Sequence, residues 1–424
     1  MIIKPLKKPI DIVLEDISAD KSISHRTAIF SLLSDKDSKI RGYLKAEDTL
    51  NTLNIIKQLG ASIKEVDDEI IITPPQHIKE PNTILDCGNS GTAMRIFMGF
   101  LAAQNGYYVL SGDQYLNERP MSRVATPLLK VGAKIDGRNN GDKAPICVRG
   151  SKLDFFKFES QISSAQIKSA FILAGLCSNG CEFYENELSR DHTEKMLLGM
   201  GANIKVDGLR IFVEPIKKPL EPLDIDVPND PSSAFFYAVA ACIIPNSHLI
   251  IKNIILNKTR IEAYNVLKKM GANITFKKTS SQYEDIGEIE IKYAPLKSID
   301  VSKNISWLID EIPALAIAFC FADGKSSIRN AKELRVKESD RIHTMVVGLR
   351  QCGIEVQEFE DGFSVVGGEA KSAIIDSHGD HRIAMSFAIL GLICGMQIEK
   401  SEFIKTSFPN FSNILRKIGV YIED

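Results

Sequence analysis

The sequence is short of the features that mark several common classes of protein. Its 424 residues include one tryptophan and eight scattered cysteines, no two of which form a CxxC pair. The seven histidines do not form an HExxH motif. A disulfide framework and a zinc site of the usual spacing are therefore not expected, and the cysteines are interpreted as buried, reduced thiols.

Charge of one sign and long hydrophobic runs are also lacking. Lys and Arg number 52 against 54 Asp and Glu, and a net charge of −2 argues against general nucleic-acid binding. The longest predominantly apolar run, Ala384–Met396, is too short to cross a bilayer. Residues 1–20 mix charges of both signs and lack the apolar centre of a secretory signal. We therefore expect a soluble, cytoplasmic protein with no nucleic-acid or membrane partner.

What the sequence does contain is a sixfold repeat. Six times, a helical pattern ends at a glycine that is followed by a small or apolar residue and a short strand pattern. The spacing is about 70 residues, which favours one structural unit copied six times. The six glycines, each predicted to end its helix in the left-handed conformation, are Gly60, Gly132, Gly201, Gly271, Gly353 and Gly419.

Each repeat also carries a second helical pattern, which is more apolar and richer in small residues. A strand pattern and a charged loop separate it from the helix that ends in glycine. Each copy therefore reads helix, strand, helix, strand, strand, and the fold class is α/β. The six apolar helices are predicted at Ser22–Leu33, Gly91–Ala103, Ala165–Cys177, Ser232–Ile244, Glu311–Phe321 and His381–Cys394.

The six repeats are expected to form two groups of three. Units of this size are larger than ordinary solenoid repeats, and no polar capping repeat is visible. The proline-rich segment Pro215–Pro231 is the predicted domain crossing, and the strand near Ile2–Ile12 is expected to complete the opposite domain. We therefore predict domain I from residues 1–19 plus 228–424 and domain II from residues 20–227, with three repeats in each.

Several of the apolar helices begin with cations. Lys or Arg lies in the first two turns of the helices that start near Asp20, Asn89, Ser163 and Gly379. N-capping explains the Ser, Asn and Asp residues at these starts, but a cation there opposes the helix dipole. Helix N-termini and cations together favour bound phosphate or carboxylate. The pattern predicts an anion-binding site.

At these residues the chain resembles the 5-enolpyruvylshikimate-3-phosphate synthase family. The match covers the whole chain in one order, and seven motifs carry it. They are Lys21-Ser-x-Ser-x-Arg26, Gly88-Asn-Ser-Gly-Thr92 with Arg95, Glu118-Arg-Pro120, Ser164-Ala-Gln-x-Lys168, Arg335-x-Lys-Glu-Ser-Asp-Arg341, Asp380-His-Arg382 and Ser407-Phe-Pro409.

The resemblance implies a two-domain inside-out α/β barrel of six βαβαββ repeats, three per domain, with the active site in the cleft between the domains. It also implies transfer of the enolpyruvyl group of phosphoenolpyruvate to the 5-hydroxyl of shikimate 3-phosphate, a step of the shikimate pathway. The expected partners are these two small molecules. No metal and no organic cofactor is implied, and a monomer is expected.

Site residues carry over motif by motif. Asp310 is expected to accept the hydroxyl proton, and Glu338 to protonate the methylene carbon, with Lys21 as the rival acid. Arg190 is equally compatible with a structural ion pair. The residues implied to bind shikimate 3-phosphate are Lys21, Ser22, Arg26, Ser163, Ser164, Gln166, Arg190, Asp310 and Lys337. Those implied to bind phosphoenolpyruvate are Lys21, Asn89, Gly91, Arg119, Gln166, Arg341 and Arg382.

The chain departs from the family's pattern at one position and agrees with it at another that bears on inhibition. Some members carry Lys directly before the Ser-Phe-Pro motif, whereas this chain has Thr406 there and Lys405 one position earlier. Gly91 stands where some herbicide-tolerant members have alanine, which favours sensitivity to glyphosate.

Two alternatives remain at this point. A UDP-N-acetylglucosamine enolpyruvyl transferase would share the fold and the donor, but that family usually has a reactive cysteine that Ser111–Arg119 lacks. A non-enzymatic pseudo-sixfold ring around nucleic acid would need basic inner helices, whereas these helices are apolar. His25 and His192 are interpreted as loop or cap residues, and Thr193 and Glu194 as the start of a helix.

Overall fold

The computed structural model describes residues 1–423, and the chain folds as two compact units. One unit is Met1–Ala19 together with Pro228–Asp424, and the other is Asp20–Val227. We call them the discontinuous unit and the continuous unit. Within residues 1–423 the strands form six four-stranded sheets and one two-stranded ribbon, Leu296–Lys297 with Ala322–Asp323.

Three of the four-stranded sheets belong to the continuous unit. In each sheet the first two strands in spatial order are parallel and the other pairs are antiparallel. The first sheet has the order Asp224–Asp226, Ser38–Arg41, Glu69–Thr73, Ser62–Val66. The second has Leu85–Asp86, Gly106–Ser111, Lys143–Gly150, Lys134–Gly137, and the third has Phe156–Ser160, Cys181–Glu185, Arg210–Val213, Ile204–Asp207.

The discontinuous unit contains the other three, with the same pairing pattern. Their orders are Asp11–Leu14, His248–Ile255, Asp285–Lys292, Asn273–Ser281; then Asp300–Val301, Lys325–Ile328, Gly362–Val366, Val356–Phe359; and then Ile374–Asp376, Met396–Glu399, Ile2–Ile3, Ile422–Glu423. The third strand of the last sheet, Ile2–Ile3, comes from the N-terminal segment and lies between Met396–Glu399 and Ile422–Glu423.

Buried helices form the centre of each unit. Five of the six are predominantly apolar, as expected for helices that contact protein all round. The sixth, Lys21–Phe30, is also buried, but Ser24, His25, Arg26 and Thr27 are among its buried residues. In the discontinuous unit, Pro231–Ile243, Ile312–Phe319 and His381–Cys394 pack on one another. In the continuous unit the corresponding helices are Lys21–Phe30, Gly91–Ala102 and Ala165–Leu176. All six lie within two residues of the predicted bounds, counting the 3₁₀ turn Ser31–Leu33 that extends the first.

The remaining helices are more amphipathic or short. Those of seven or more residues are Glu47–Gln58, Ser122–Lys130, His192–Gly199, Glu262–Lys269, Arg341–Gln351 and Phe411–Lys417. Two short helices span Arg138–Gly141 and Ile305–Leu308, and three further 3₁₀ turns span Leu116–Glu118, Lys332–Val336 and Ser401–Thr406. Within residues 1–423, none of the helices has both the length and the apolar character to span a membrane.

The prediction that the six repeat glycines end their helices in the left-handed conformation is confirmed. All six repeat glycines have positive φ, between 79° at Gly353 and 107° at Gly271. A side chain is strained in this conformation, so glycine ends each helix at little cost. The two strands predicted to follow each of these helices are present after Gly201, as Ile204–Asp207 and Arg210–Val213.

Candidate functional site

In the continuous unit, the N-termini of the three buried helices lie together. Asp20 and Ser90 cap two of them, accepting hydrogen bonds from Ile23 N and Ala93 N at 2.8 and 3.1 Å. His25, in the first of these helices, lies 3.3 Å from the capping Ser90 hydroxyl. Capping therefore accounts for the Ser and Asp residues at these starts, as the sequence predicted.

Two arginines flank the start of the helix Gly91–Ala102. A Cβ atom added at Gly91 would lie 3.0 Å from Arg95 Nη1 and 3.2 Å from Arg119 Nη2. Arg95 donates to Gln166 Oε1 at 2.6 Å, and Arg119 donates to the Asn89 carbonyl at 3.4 Å. We call these five residues the Gly91 cluster. The first residue of this helix, Gly91, has no side chain that would cover the N-terminal backbone N–H groups. Together with the two guanidinium groups beside it, this N-terminus can bind a carboxylate or a phosphate.

The Gly91 cluster brings together four of the predicted phosphoenolpyruvate residues, Asn89, Gly91, Arg119 and Gln166. Gln166 is fixed from both ends, because its Nε2 also donates to Thr92 Oγ1 at 2.9 Å. Asn89 Nδ2 donates to Asp113 Oδ2 at 2.6 Å. These contacts hold the polar groups in place.

Lys21 and Arg26, predicted as anion ligands on the first buried helix, have different surroundings. Lys21 is partly exposed and pairs with Asp48 at 3.2 Å. Arg26 is buried and donates to Thr193 Oγ1 at 2.8 Å and Ser169 Oγ at 2.9 Å. Its third contact is with the Ser22 carbonyl at 3.1 Å. Arg26 is thus a buried cation held by hydrogen bonds, whereas Lys21 is a partly exposed cation in an ion pair.

Three predicted residues lie near the start of the third buried helix, Ala165–Leu176. Ser163 and Ser164 directly precede it in sequence, and Ser163 contacts the loop that carries Arg190. The Ser164 hydroxyl caps the helix, accepting from Ile167 N at 3.5 Å. The Ser163 hydroxyl donates to the Glu187 carbonyl at 3.1 Å, in the loop that carries Arg190. All three predicted residues are partly exposed.

A second charged cluster lies in the discontinuous unit, around Arg341. This guanidinium is 1% exposed and contacts three carboxylates: Asp380 at 2.8 Å, Glu338 at 2.6 Å and Asp310 at 3.4 Å. Burial disfavours its charge, but Asp380 and Glu338 outweigh that effect and raise the pKa of Arg341. Asp380 is fully buried, whereas Asp310 and Glu338 are 25% and 18% exposed. Only the latter two carboxylates are placed to reach a ligand.

Two further cations, Arg382 and Lys337, lie near these carboxylates. Arg382 N donates to Asp380 Oδ1 at 2.8 Å, and its Nη1 donates to the Ser232 carbonyl at 3.2 Å. Burial lowers the pKa of Lys337 to about 8, and Arg341 adds to the decrease while Asp310 opposes it. We call Asp310, Glu338, Arg341, Asp380 and Arg382 the Arg341 cluster.

The structure corrects the interpretation of two histidines and adds residues to the candidate set. His192 is the buried first residue of the helix His192–Gly199, and Asp191 holds the cap position. His25 is not a loop or cap residue: it is buried inside Lys21–Phe30 and bonds Thr52 Oγ1 at 2.7 Å. Burial lowers the pKa of His25 well below its usual value, and Lys21 adds to the effect. Thr193 does lie in a helix, as predicted, but its contact with Arg26 was missed because the two residues are far apart in sequence.

Arg95 and Asp380 were part of the motifs but were not predicted as site residues. Arg95 bonds Gln166, and Asp380 bonds Arg341. A charged side chain within an apolar helix pattern was the available signal for Arg95, since such a group is seldom buried without a partner.

Comparison with known proteins identifies the family. A family model described as EPSP synthase (3-phosphoshikimate 1-carboxyvinyltransferase) matches residues 7–415. A 3-phosphoshikimate 1-carboxyvinyltransferase of Campylobacter concisus is 69% identical over 425 residues, covering 100% of this chain and 99% of the relative. One from Campylobacter jejuni is 57% identical over 427 residues, with 100% of both chains covered.

Solved structures agree with this result. An EPSP synthase structure from Acinetobacter baumannii has a TM-score of 0.87 and 36% sequence identity, covering 100% of this chain and 99% of that one. The overall fold is therefore the mixed α/β fold of these structures. The chain belongs to the EPSP synthase family, the 3-phosphoshikimate 1-carboxyvinyltransferases.

Proposed function

We propose that this chain transfers the enolpyruvyl group of phosphoenolpyruvate to the 5-hydroxyl of shikimate 3-phosphate and releases phosphate. The observation that carries the proposal is the Gly91 cluster, in which Arg95 and Arg119 flank a helix start without a side chain. Both substrates are multiply charged anions, which such a site favours. The family membership given above agrees with it.

Binding is assigned to both charged groups. Lys21, Asn89, Gly91, Arg119, Gln166, Arg341 and Arg382 are proposed to bind phosphoenolpyruvate. Lys21, Ser22, Arg26, Ser163, Ser164, Gln166, Arg190, Asp310 and Lys337 are proposed to bind shikimate 3-phosphate. Because these residues come from both units, each unit supplies part of the proposed set. The inside-out barrel of six repeats remains part of the proposal.

The proposed chemistry is addition followed by elimination. Asp310 accepts the proton of the 5-hydroxyl as its oxygen bonds to C2 of phosphoenolpyruvate, and Glu338 or Lys21 delivers a proton to the methylene carbon. The tetrahedral intermediate then loses a proton from the new methyl group and expels phosphate, which restores the double bond. Asp310 and Glu338 suit these roles because both are partly exposed and oriented by the guanidinium of Arg341.

The cellular compartment is proposed to be the cytoplasm. All eight cysteines are unpaired thiols, and burial raises the pKa of several of them, including Cys177 and Cys242. Buried, protonated thiols are unreactive and are typical of a reducing compartment.

The first test is phosphate release from phosphoenolpyruvate with either shikimate 3-phosphate or UDP-N-acetylglucosamine as acceptor. Release with shikimate 3-phosphate alone supports the proposal. Release only with the nucleotide sugar would replace the acceptor, and no release with either would overturn the proposed reaction.

The acid–base roles can be tested by removing each carboxylate. We expect Asp310→Ala and Glu338→Ala each to lower kcat by about 10²- to 10⁴-fold, the usual effect of losing a general acid or base. Glu360→Ala is the matched control, because Glu360 is 78% exposed and pairs with Lys332 on the surface. A kcat for Asp310→Ala within threefold of that of the unmodified enzyme would show that Asp310 is not the general base.

A further inference from the structure

Lys168 is a motif residue for which the proposed chemistry has no use. It lies on the buried helix Ala165–Leu176, and its side chain is 0% exposed. Its Nζ is 2.9 Å from Glu185 Oε1 and 2.8 Å from Glu194 Oε1, and these carboxylates are 2% and 4% exposed. Burial alone would lower the pKa of Lys168, but Glu194 and Glu185 outweigh it and raise the pKa. Lys168 is therefore a charged, inaccessible group.

The same ammonium group also binds the loop between its two partners. Lys168 Nζ donates to the Ser189 carbonyl at 3.3 Å. From the other side, Ser189 N and Ser189 Oγ donate to Glu185 Oε2 at 3.1 and 2.7 Å. Both backbone groups of Ser189 are thus held by the ion pair. We call Lys168, Glu185, Ser189 and Glu194 the Lys168 clamp.

Arg190 directly follows Ser189, and the chain is fixed again a few residues later. Thr193 accepts from Arg26 and lies 2.6 Å from the Ser169 hydroxyl, and Glu194 returns to Lys168. The backbone of Arg190 therefore lies between two anchored points that both trace to the helix Ala165–Leu176. The start of that helix, Ser163–Gln166, supplies three other residues proposed to bind shikimate 3-phosphate.

We infer that Lys168 is a positioning residue for shikimate 3-phosphate: by holding Ser189 and Glu194 it fixes the location of Arg190 relative to Ser163 and Ser164. This inference rests on the proposed function of Arg190. Lys168 touches neither substrate, since it has no exposed surface. A fixed cation binds its anion better than a mobile one, because less conformational freedom is lost on binding.

The test is a double-mutant cycle with shikimate 3-phosphate binding as the readout. Lys168→Met alone would leave two buried carboxylates without their cation and could prevent folding. The variant Lys168→Met with Glu194→Gln removes one charge of each sign, and Glu185 retains its two donors from Ser189. We expect its Kd for shikimate 3-phosphate, measured by calorimetry, to rise about tenfold, which corresponds to ~1.4 kcal/mol.

The decisive comparison is with Arg190→Ala. If Lys168 acts through Arg190, the triple variant Lys168→Met, Glu194→Gln, Arg190→Ala should have a Kd less than twofold above that of Arg190→Ala alone. An additive tenfold loss there, or a Kd for the clamp variant within twofold of the unmodified enzyme, overturns the inference. If the clamp variant loses its cooperative thermal unfolding transition, it is not used. It is then replaced by Glu194→Gln alone, which leaves the Lys168–Glu185 pair intact. The same cycle and the same limits on the Kd apply to that variant.

The pair Lys157–Glu182, in the sheet that contains Glu185, supplies the matched control. Its atoms are 2.6 Å apart, and its lysine is 71% exposed whereas Glu182 is 17% exposed. The variant Lys157→Met with Glu182→Gln should leave the Kd unchanged, since surface ion pairs contribute little. A failure of the proposed function can be told apart from a failure of this inference. In the first case the unmodified enzyme itself would release no phosphate with shikimate 3-phosphate.

Discussion

Lys337, which is proposed to bind shikimate 3-phosphate, has a lowered pKa. Burial lowers its pKa to about 8, and its strongest opposing influence is Asp310, the proposed base. The ammonium form is therefore present below pH 8 and is lost as the pH rises through that value. The phosphate group of shikimate 3-phosphate has its second pKa near 6, so its charge does not change in the same range.

We predict that kcat/KM for shikimate 3-phosphate falls as the pH rises through about 8, because kcat/KM reports groups of the free enzyme. In Lys337→Arg the guanidinium stays charged, since its pKa lies above 12. We expect the variant to be slower at every pH, because Arg and Lys differ in shape, but its profile should lack the fall near pH 8. Identical falls in the two profiles would contradict the assignment.

The sequence was enough to propose candidate site residues at helix starts, but not the long-range contacts that hold them. Gly91 and Arg119 could be assigned because a glycine and a cation in a motif have a chemical meaning on their own. The partners of Arg26 could not, because Ser169 and Thr193 lie far along the chain and become neighbours only when the helices pack. His25 was misinterpreted for the same reason: its partner Ser90 lies in the next repeat.

At the scale of elements, the close approach of two buried helices depends on one glycine. Gly99 lies in Gly91–Ala102, and a Cβ atom there would collide with the backbone of Ala170 in Ala165–Leu176. These two helices carry the Gly91 cluster and the Lys168 clamp at or near their N-terminal turns. The helices themselves were predictable from apolar periodicity, but their contact was not, since periodicity does not specify which faces meet.

We predict that Gly99→Ala destabilises the protein by about 1–3 kcal/mol, the usual cost of overpacking a core. The collision is with backbone, so a side-chain rotation cannot relieve it. The midpoint of urea unfolding, followed by circular dichroism, measures the effect. Gly368→Ala is the matched control, because an added Cβ there meets no atom within 4 Å. Equal midpoints for the two variants would show that the helices separate easily.

At the scale of the whole molecule, the continuous unit completes its own sheets. Its last strand, Asp224–Asp226, pairs in parallel with Ser38–Arg41 near its beginning, and Arg41 bonds Asp224 and Asp226 at 2.7 and 2.6 Å. The first sheet is thus closed by the last strand of the same unit. A unit that buries its own helices and satisfies its own strands is expected to fold independently.

We predict that a fragment of residues 20–227 is folded, unfolds cooperatively in urea and releases no phosphate, because the Arg341 cluster lies in the other unit. The control is a fragment of residues 20–217, which lacks Asp224–Asp226 and should unfold at lower urea concentration. An unfolded fragment 20–227, or equal midpoints for the two fragments, would contradict this account of the unit.

The last sheet of the discontinuous unit has a consequence for the chain as a whole. Ile2 pairs with Glu423 and Ile3 with Ile422 in antiparallel register, and Lys4 contacts Glu423 at 2.9 Å. The two ends of the polypeptide are therefore neighbours on adjacent strands. A short linker could join them, and new termini could be opened in an exposed turn such as Asp207-Gly208 without altering any sheet. The pairing within this sheet therefore does not depend on where along the chain the backbone is opened.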